Sequence, residues 1–178
     1  WSRLPIAMGD LSESAIFIDD TPGLGLLEIR AKARRFKLQY DIQLVIIDYL
    51  QLMEGRSAEN RQQEISSISR GLKALARELN VPVIAVSQLN RSVETREGHT
   101  PRMSDLRESG SIEQDADVIM LLHRADYYDP TKNPGEVDVD VAKQRNGPTG
   151  KIKLTFRNQF LRFENFANDA SIDSFDTL

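Results

Sequence analysis

Two stretches of the sequence place apolar residues at the spacing of an amphipathic helix. In each, apolar side chains recur every three or four positions, so that they line one face of a helix. The first set is Leu26, Ile29, Ala33, Phe36 and Tyr40, and the second is Ile65, Ile68, Leu72, Leu75, Ala76 and Leu79. The pair Thr21–Pro22 has the form of a helix start, and Asn80 with Pro82 closes the second helix.

Short apolar runs between these helices predict β-strands. Residues 15–19 form one such run, and residues 44–47 and 83–86 are apolar throughout, as in strands covered on both faces. Residues 118–122 form another run, and two later strands are expected on either side of the turn at 146–150, at 137–142 and 151–156. Strands that alternate with helices predict an α/β fold built on a parallel sheet, with residues 90–104 as a mobile loop.

Composition places the chain among ordinary globular domains. Its 178 residues are enough for one domain with a buried core, and 40% are hydrophobic and 28% charged. The sequence contains no cysteine, which excludes disulfides and thiolate metal sites, and no apolar run is long enough to span a membrane. We therefore expect a cytoplasmic protein.

The charge of the chain argues against nucleic acid as a partner unless local motifs outweigh it. The formal net charge is −4, although Arg30, Lys32, Arg34, Arg35 and Lys37 make one face of the first helix basic. A solvated surface is the simpler interpretation of that face. Whole-chain charge is a weak guide, because a local basic patch is what neutralises phosphates.

Polar residues follow three of the predicted strands, where an open α/β sheet binds its ligands. Asp48 follows residues 44–47, Ser87 and Gln88 follow residues 83–86, and His123 with Arg124 follows residues 118–122. An apolar strand that ends in an aspartate has the form of a Walker B site, in which the carboxylate holds Mg²⁺ beside a nucleotide. An aspartate that forms a turn, and a glutamine that only binds a loop, are the alternatives.

Several longer motifs resemble those of DnaB-type replicative DNA helicases, in the order that this family has them. The resemblance covers about residues 12–163, and its motifs are 16–22 (IFIDDTP), 30–35 (RAKARR), 44–53 (LVIIDYLQLM), 86–91 (VSQLNR), 105–117 (DLRESGSIEQDAD) and 143–150 (KQRNGPTG). The resemblance implies the RecA-like motor domain of such a helicase, with a mainly parallel sheet, flanking helices and an antiparallel C-terminal strand region.

The resemblance assigns nucleotide-site roles to four residues. Asp48 corresponds to the aspartate that holds Mg²⁺, usually through water, and Gln88 to the glutamine that senses the γ-phosphate of ATP. Lys143 and Arg145 alternate along a predicted strand, so their side chains point to one side. In the family this segment reaches into the ATP site of the neighbouring subunit, as an arginine finger does. The alternative is a cationic strand edge that prevents aggregation.

The resemblance also implies contacts with single-stranded DNA. Arg107, Glu108 and Gly110 lie in the motif that holds the DNA backbone, and Arg91 is a further candidate. A guanidinium pairs well with phosphate, and glycine lets backbone N–H groups approach closely. Because the carboxylate of Glu108 repels phosphate, its contribution to DNA binding would come from its main chain or from a pairing with a neighbouring arginine. An ordinary surface ion pair is the alternative for Arg107 and Glu108.

The phosphate-binding loop of such motors, G-x-x-x-x-G-K-[ST], does not occur in the sequence. Gly150–Lys151 is not one, because Ile152 follows it. The chain also opens on Trp1, as if cut from a longer protein. We therefore expect residues 1–163 to be the C-terminal part of a motor domain truncated on its N-terminal side, and residues 164–178 to be an acidic, flexible tail. The isolated chain should associate with itself or a neighbour and should not hydrolyse ATP.

These expectations define one leading function and two alternatives. The leading function is that of an ATP- and Mg²⁺-dependent replicative helicase in the primosome, a hexameric ring on single-stranded DNA with primase and a helicase loader as partners. A different RecA-like ATPase, such as a recombinase or clock-type regulator, is one alternative. A non-catalytic module that binds DNA or a partner is the other. His99 and His123 are too few and too far apart in sequence to predict a metal site.

Overall fold

The computed structural model of the chain describes residues 3–53 and 61–166, and these divide into two compact units. The first unit extends to Gln88 and the second begins at Leu89. The first unit contains α1 (Arg3–Glu13), α2 (Leu26–Tyr40), β1 (Val45–Ile47), α3 (Arg61–Leu79) and β2 (Val83–Ala85), with a 3₁₀ turn at Leu50–Leu52. Strands β1 and β2 pair in parallel, with Ile46 opposite Ile84.

The core of the first unit is built by the apolar face of α3. Ile65, Ile68, Leu72 and Leu75 are all buried, as their spacing predicted, and α3 packs against α2. Gly71 permits a close approach of the two helices, since a Cβ atom there would lie 2.2 Å from a methyl group of Leu26. The two predicted helices are therefore confirmed. The sequence pattern identifies the buried face of α3, whereas on the predicted face of α2 only Ala33 is buried and Tyr40 is 54% exposed.

The segment before α2 differs from the prediction. Residues 15–19 form no strand. They are instead held to α2 by side chains, because the ring of Phe17 stacks on Phe36 at 5.3 Å and on Tyr40 at 4.4 Å between centroids. The predicted helix start at Thr21–Pro22 is also wrong. Helix α2 begins at Leu26, where the side chain of Glu28 accepts a hydrogen bond from the N–H of Gly25.

The prediction that β1 and β2 are covered on both faces is wrong for this chain. Ile46 is 61% exposed and its ladder partner Ile84 is 45% exposed. Ladder partners project to the same side of a sheet, so these residues define one open apolar face. Ile16 and Phe17 line the same groove as Ile46, but Ile46 nevertheless stays exposed.

The second unit is a four-stranded antiparallel sheet with short helices. Its elements are α4 (Gly110–Asp115), β3 (Val118–His123), α5 (Ala125–Tyr128), β4 (Glu136–Gln144), β5 (Gly150–Arg157) and β6 (Arg162–Asn165). The strand order is β3-β4-β5-β6, and β4 and β5 flank the predicted turn at 146–150. β3 was expected in a parallel sheet, but it pairs antiparallel with β4.

Alternate residues of these strands form the core of the second unit. Ile119 and Leu121 on β3 are buried together with Leu106, and Val137 is fully buried on β4. Residues 90–104, predicted as a mobile loop, contain short 3₁₀ turns and a buried Val93. The two-residue periods on β3 and β4 identify the inward side chains of the sheet.

Strand β6 crosses the predicted boundary between the motor domain and the acidic tail. The tail was expected from residue 164, whereas β6 runs from Arg162 to Asn165. The rest of the predicted tail, residues 167–178, lies outside the described residues.

In residues 3–53 and 61–166, no helix combines the length and the apolar character that a bilayer crossing requires.

Candidate nucleotide and DNA sites

Asp48 lies at the carboxyl end of β1, on the rim of a groove of about 840 Å³. Its side chain is exposed, and no hydrogen bond or ion pair joins its carboxylate to another residue of the described ranges. The carboxylate oxygens of Asp48 are therefore accessible to a cation or to ordered water.

The rim of the groove also carries the residues that follow the irregular segment 15–18. Asp19 forms an ion pair of 2.6 Å with Lys32 on α2 and accepts hydrogen bonds from the hydroxyl and N–H of Thr21. Lys32 and Thr21 lower the pKa of Asp19 to about 2. The groove is thus lined by apolar side chains together with charged and polar ones.

Gln88 follows β2, and a residue that the sequence argument did not single out holds its backbone. The side-chain amide of Gln51 donates a hydrogen bond to the carbonyl of Gln88 (3.2 Å) and accepts one from its N–H (3.2 Å). The same amide donates to the hydroxyl of Ser87 at 3.1 Å. A single polar residue in the otherwise apolar run 50–53 was the sequence signal for this role.

The basic face of α2 is largely occupied by ion pairs within the first unit. Arg30 and Arg34 both contact the carboxylate of Glu78 on α3, and Lys37 contacts Asp41 at 2.6 Å. These two arginines, Arg34 above all, lower the pKa of Glu78 to about 2. Together with the Lys32–Asp19 pair, these contacts favour the interpretation of this face as a solvated surface.

Lys143, on β4, is directed at the end of helix α4. Its ammonium group donates hydrogen bonds to the backbone carbonyls of Glu113 (2.6 Å), Ala116 (2.7 Å) and Gln114 (3.3 Å). The carbonyls at the C-terminal end of a helix have no partner within the helix, and a lysine can satisfy them.

Arg145 binds the same region. Its guanidinium forms an ion pair of 3.1 Å with Asp117 and contacts the carbonyl of Gln114 at 3.4 Å, and its N–H donates to the carbonyl of Asp117 at 2.8 Å. The structure thus brings Lys143 and Arg145 together on one side, at the C-terminal end of the predicted DNA-facing motif.

The candidate DNA residues lie on neighbouring short helices of the second unit. Arg107 and Glu108 belong to a 3₁₀ helix at Met103–Ser109, and Gly110 begins α4. The side chains of residues 107–110 lie outside the described part of the structure. Arg91 is exposed in the 3₁₀ turn Arg91–Val93, where Asn90 accepts a hydrogen bond from Ser92.

The two histidines, His99 and His123, are far apart in sequence, but both rings lie near the ring of Tyr128. The ring of His99 stacks on Tyr128 with centroids 4.0 Å apart, and the centroid of His123 is 6.5 Å from that of Tyr128. Within the described ranges, no cluster of three or more histidine, aspartate or glutamate residues could hold a metal ion.

A parallel strand pair that ends in an aspartate and a glutamine is typical of nucleotide-dependent α/β motors of the RecA-like class. Comparison with known proteins defines the family. The chain belongs to the family of the DnaB-like helicase C-terminal domain, whose model matches residues 1–165.

Curated relatives of this chain are replicative helicases. The chain is 54% identical to the replicative DNA helicase DnaC of Bacillus subtilis strain 168, over 97% of this chain and 39% of that protein. It is 55% identical to the replicative DNA helicase DnaB of Geobacillus stearothermophilus, over 93% of this chain and 37% of that protein. The chain therefore spans less than two fifths of the length of these relatives.

Two similar solved structures confirm the RecA-like fold class. One is a solved ATPase domain, which matches with a TM-score of 0.89 and 46% identity, over 94% of this chain and 60% of that one. A DnaB-like replicative helicase, solved in a study of its interactions with primase, matches with a TM-score of 0.88 and 46% identity. That match covers 94% of this chain and 42% of the other.

Proposed function

We propose that this chain is part of an ATP-dependent replicative DNA helicase that moves on single-stranded DNA and unwinds duplex at the fork. The observation that carries the proposal is the pair of polar residues at the carboxyl ends of two parallel strands, Asp48 exposed on the groove rim and Gln88 fixed through Gln51. Membership in the helicase family supports it.

In this proposal Asp48 holds Mg²⁺ through water, next to the phosphates of ATP. Mg²⁺ prefers oxygen ligands and keeps several waters, so one accessible carboxylate together with nucleotide phosphates suits it. Asp48 fits because its oxygens are accessible on the rim. The bound ion would neutralise phosphate charge, and Gln88, which can both donate and accept hydrogen bonds, would report whether the γ-phosphate is present.

The proposal places Lys143 and Arg145 in the ATP site of a neighbouring subunit of a homohexameric ring. Cationic donors there would stabilise negative charge on the γ-phosphate, an effect worth about 10³–10⁵ in rate for an arginine finger. Support comes from their location on one side of β4 and its continuation, where they reach the same carbonyl of Gln114. Both would have to exchange their present partners for a phosphate.

DNA contacts are assigned to the segment of Arg107, Glu108 and Gly110, with Arg91 as a further contact. Contacts with the DNA backbone carry no sequence information, so DNA binding by these residues should tolerate any base sequence. A primase and a helicase loader are the expected protein partners. The DnaB-like helicase that was solved in a study of its interactions with primase supports the first of these through its similarity to this chain.

The test of the proposal uses the longest natural protein that contains this chain. Asp48→Asn should lower DNA-stimulated ATP hydrolysis by about 100-fold or more, because metal positioning contributes several kcal/mol to such reactions. The matched control is Asp20→Asn, which removes the same charge from another residue lining the groove. Equal activity of both variants and the parent protein would contradict the proposal.

A non-catalytic binding module is the second candidate, and the absence of a phosphate-binding loop from this sequence favours it. It predicts that the 178-residue chain binds single-stranded DNA in a salt-dependent manner without hydrolysing ATP. Hydrolysis by this chain that Asp48→Asn abolishes would exclude that candidate.

A further inference from the structure

Helix α4 has an unusual dependence on one distant side chain. It contains only six residues, Gly110–Asp115, and helices of this length are not stable in water on their own. Lys143, 27 to 30 residues farther along the chain, donates to three carbonyls at its C-terminal end. A cation there also interacts favourably with the helix dipole.

The surrounding contacts fasten the end of α4 to the end of β4. Lys143 is the ladder partner of Ile119 on β3, and the N–H of Arg145 donates to the carbonyl of Asp117, between α4 and β3. Arg145 adds its ion pair to Asp117. Residues 113–117 therefore have little freedom to move while Lys143 and Arg145 keep these partners.

An ammonium group has three N–H donors, and the three carbonyls of Glu113, Gln114 and Ala116 can use all of them. A phosphate oxygen of a neighbouring subunit would have to displace at least one of these acceptors. The ammonium cannot cap α4 fully and bind a phosphate at the same time.

We infer that Lys143 is a positioning residue for α4, and that capping of α4 and contact with a neighbour's phosphate are mutually exclusive states of its side chain. The inference rests on the proposed function for the phosphate contact, whereas the capping role rests on the structure alone. When Lys143 of one subunit contacts the nucleotide of its neighbour, it no longer caps α4, and α4 becomes less stable. Because α4 begins at Gly110, this change affects the candidate DNA segment. Nucleotide and DNA segment are thereby coupled through one side chain, and such coupling is reciprocal.

The first experiment removes the donors of Lys143 without nucleotide present. In the longest natural protein that contains this chain, Lys143→Met should lower the hydrogen-exchange protection of the amides in residues 110–116 by about 3- to 30-fold, the range for loss of a helix cap. The control, Lys151→Met, removes the same charge from β5, where the ladder partner is Asp140. It should change this protection less than about twofold. Equal protection in Lys143→Met and the parent protein would overturn the capping role.

A second variant separates loss of the donors from loss of the fold. Lys143→Arg keeps several N–H donors and the charge, so it should retain more than half of the protection that Lys143→Met loses. If Lys143→Met does not fold, the capping role is decided by Lys143→Ala with added n-propylamine, whose three carbons and ammonium group replace the atoms that alanine lacks. Recovery of protection with amine supports it, and no recovery overturns it.

The second experiment uses a non-hydrolysable ATP analogue and Mg²⁺ to test whether capping of α4 and contact with a phosphate exclude each other. In the parent protein, saturating analogue should lower the protection of residues 110–116, because Lys143 leaves its carbonyls. In Lys143→Met the analogue should cause no further decrease. Unchanged or increased protection in the parent protein, with the analogue shown to be bound, would overturn the exclusion. Failure of the parent protein to bind the analogue or oligothymidylate would refute the proposed function and leave the capping result intact.

Discussion

The guanidinium of Arg96 holds the buried carboxylate of Asp105 in a bidentate ion pair. Nη1 donates to Oδ2 at 2.8 Å and Nη2 to Oδ1 at 2.7 Å, and the Asp105 side chain is only 2% exposed. Asp105 also accepts a hydrogen bond from the N–H of Arg102, and its own carbonyl accepts one from Asn90. This pair therefore closes residues 90–105 into a defined structure and fixes the start of the 3₁₀ helix that carries Arg107 and Glu108.

Asp105→Ala should destabilise the protein and weaken its hold on single-stranded DNA. The substitution leaves the N–H of Arg102 and the inner face of the Arg96 guanidinium without their acceptor, which typically costs about 1–3 kcal/mol for a buried group. Urea denaturation measures the stability, and fluorescence anisotropy with labelled oligothymidylate measures the affinity. Glu94→Gln, at an exposed position of the same segment, is the control for loss of negative charge. Equal denaturation midpoints for the two variants would contradict the structural role of the pair.

Stability should fall with acidification through the titration of Glu78. Contacts with Arg34 and Arg30 lower its pKa in the folded chain to about 2, below its usual value of 4.5. A depressed folded pKa means that the unfolded state binds protons first as the pH falls, so the stabilisation is complete above about pH 5 and is lost progressively down to about pH 2. Asp105 and Asp19, whose pKa values are also lowered, contribute in the same direction.

The measurement for Glu78 is the thermal midpoint between about pH 7 and about pH 2.5, at low and high salt. Glu78→Gln should flatten the acid side of the profile, and salt should reduce the difference from the parent chain, because the pair is partly exposed. Glu97→Gln removes a carboxylate from an exposed position and should leave the profile unchanged. If both variants follow the parent profile at low salt, the ion pairs of Glu78 do not stabilise the fold.

The sequence identified elements whose stability is local and missed contacts that join distant residues. The periodicity of α3 was enough to predict its buried side chains, whereas on the face predicted for α2 only Ala33 is buried and Tyr40 is exposed. The turn at 146–150 was enough to predict the β4–β5 hairpin. Residues 15–19 had the composition of a strand, but the aromatic contacts of Phe17 with α2 hold them in another conformation. No local sequence pattern distinguishes a segment of this kind from a strand, because its conformation depends on which other element packs against it in the fold.

In the candidate site, too, local sequence predicted the positions of residues but not their contacts with distant partners. Asp48 and Gln88 were predicted from apolar runs that end in a polar residue, and the structure places both at the carboxyl ends of paired strands. The partners of Lys143 could not be predicted, because a lysine at a strand end has no sequence feature that specifies backbone carbonyls 27 to 30 residues away. For Gln51, the sequence signal was a polar residue in an apolar run, but that signal does not specify Gln88, 37 residues away, as the hydrogen-bond partner.

Gln51→Glu should impair the response to nucleotide with little effect on its binding. The glutamate keeps an acceptor for the N–H of Gln88 but loses the donor to the Gln88 carbonyl and to the Ser87 hydroxyl, and it sets a negative charge against both oxygens. Gln88 would then be displaced from the end of β2. In the longest natural protein that contains this chain, we expect kcat for ATP hydrolysis to fall about 10- to 100-fold, as for other displaced groups, and KM to change less than about threefold.

The control for Gln51→Glu is Gln43→Glu, at an exposed residue whose amide donates to the carbonyl of nearby Asp41. This variant introduces the same charge before β1 and should retain activity. Gln51→Asn, which keeps both donor and acceptor on a shorter stem, should fall between Gln51→Glu and the parent protein. A rise in KM with kcat unchanged in Gln51→Glu would instead mean that the hydrogen bonds of Gln51 support nucleotide binding rather than the placement of Gln88.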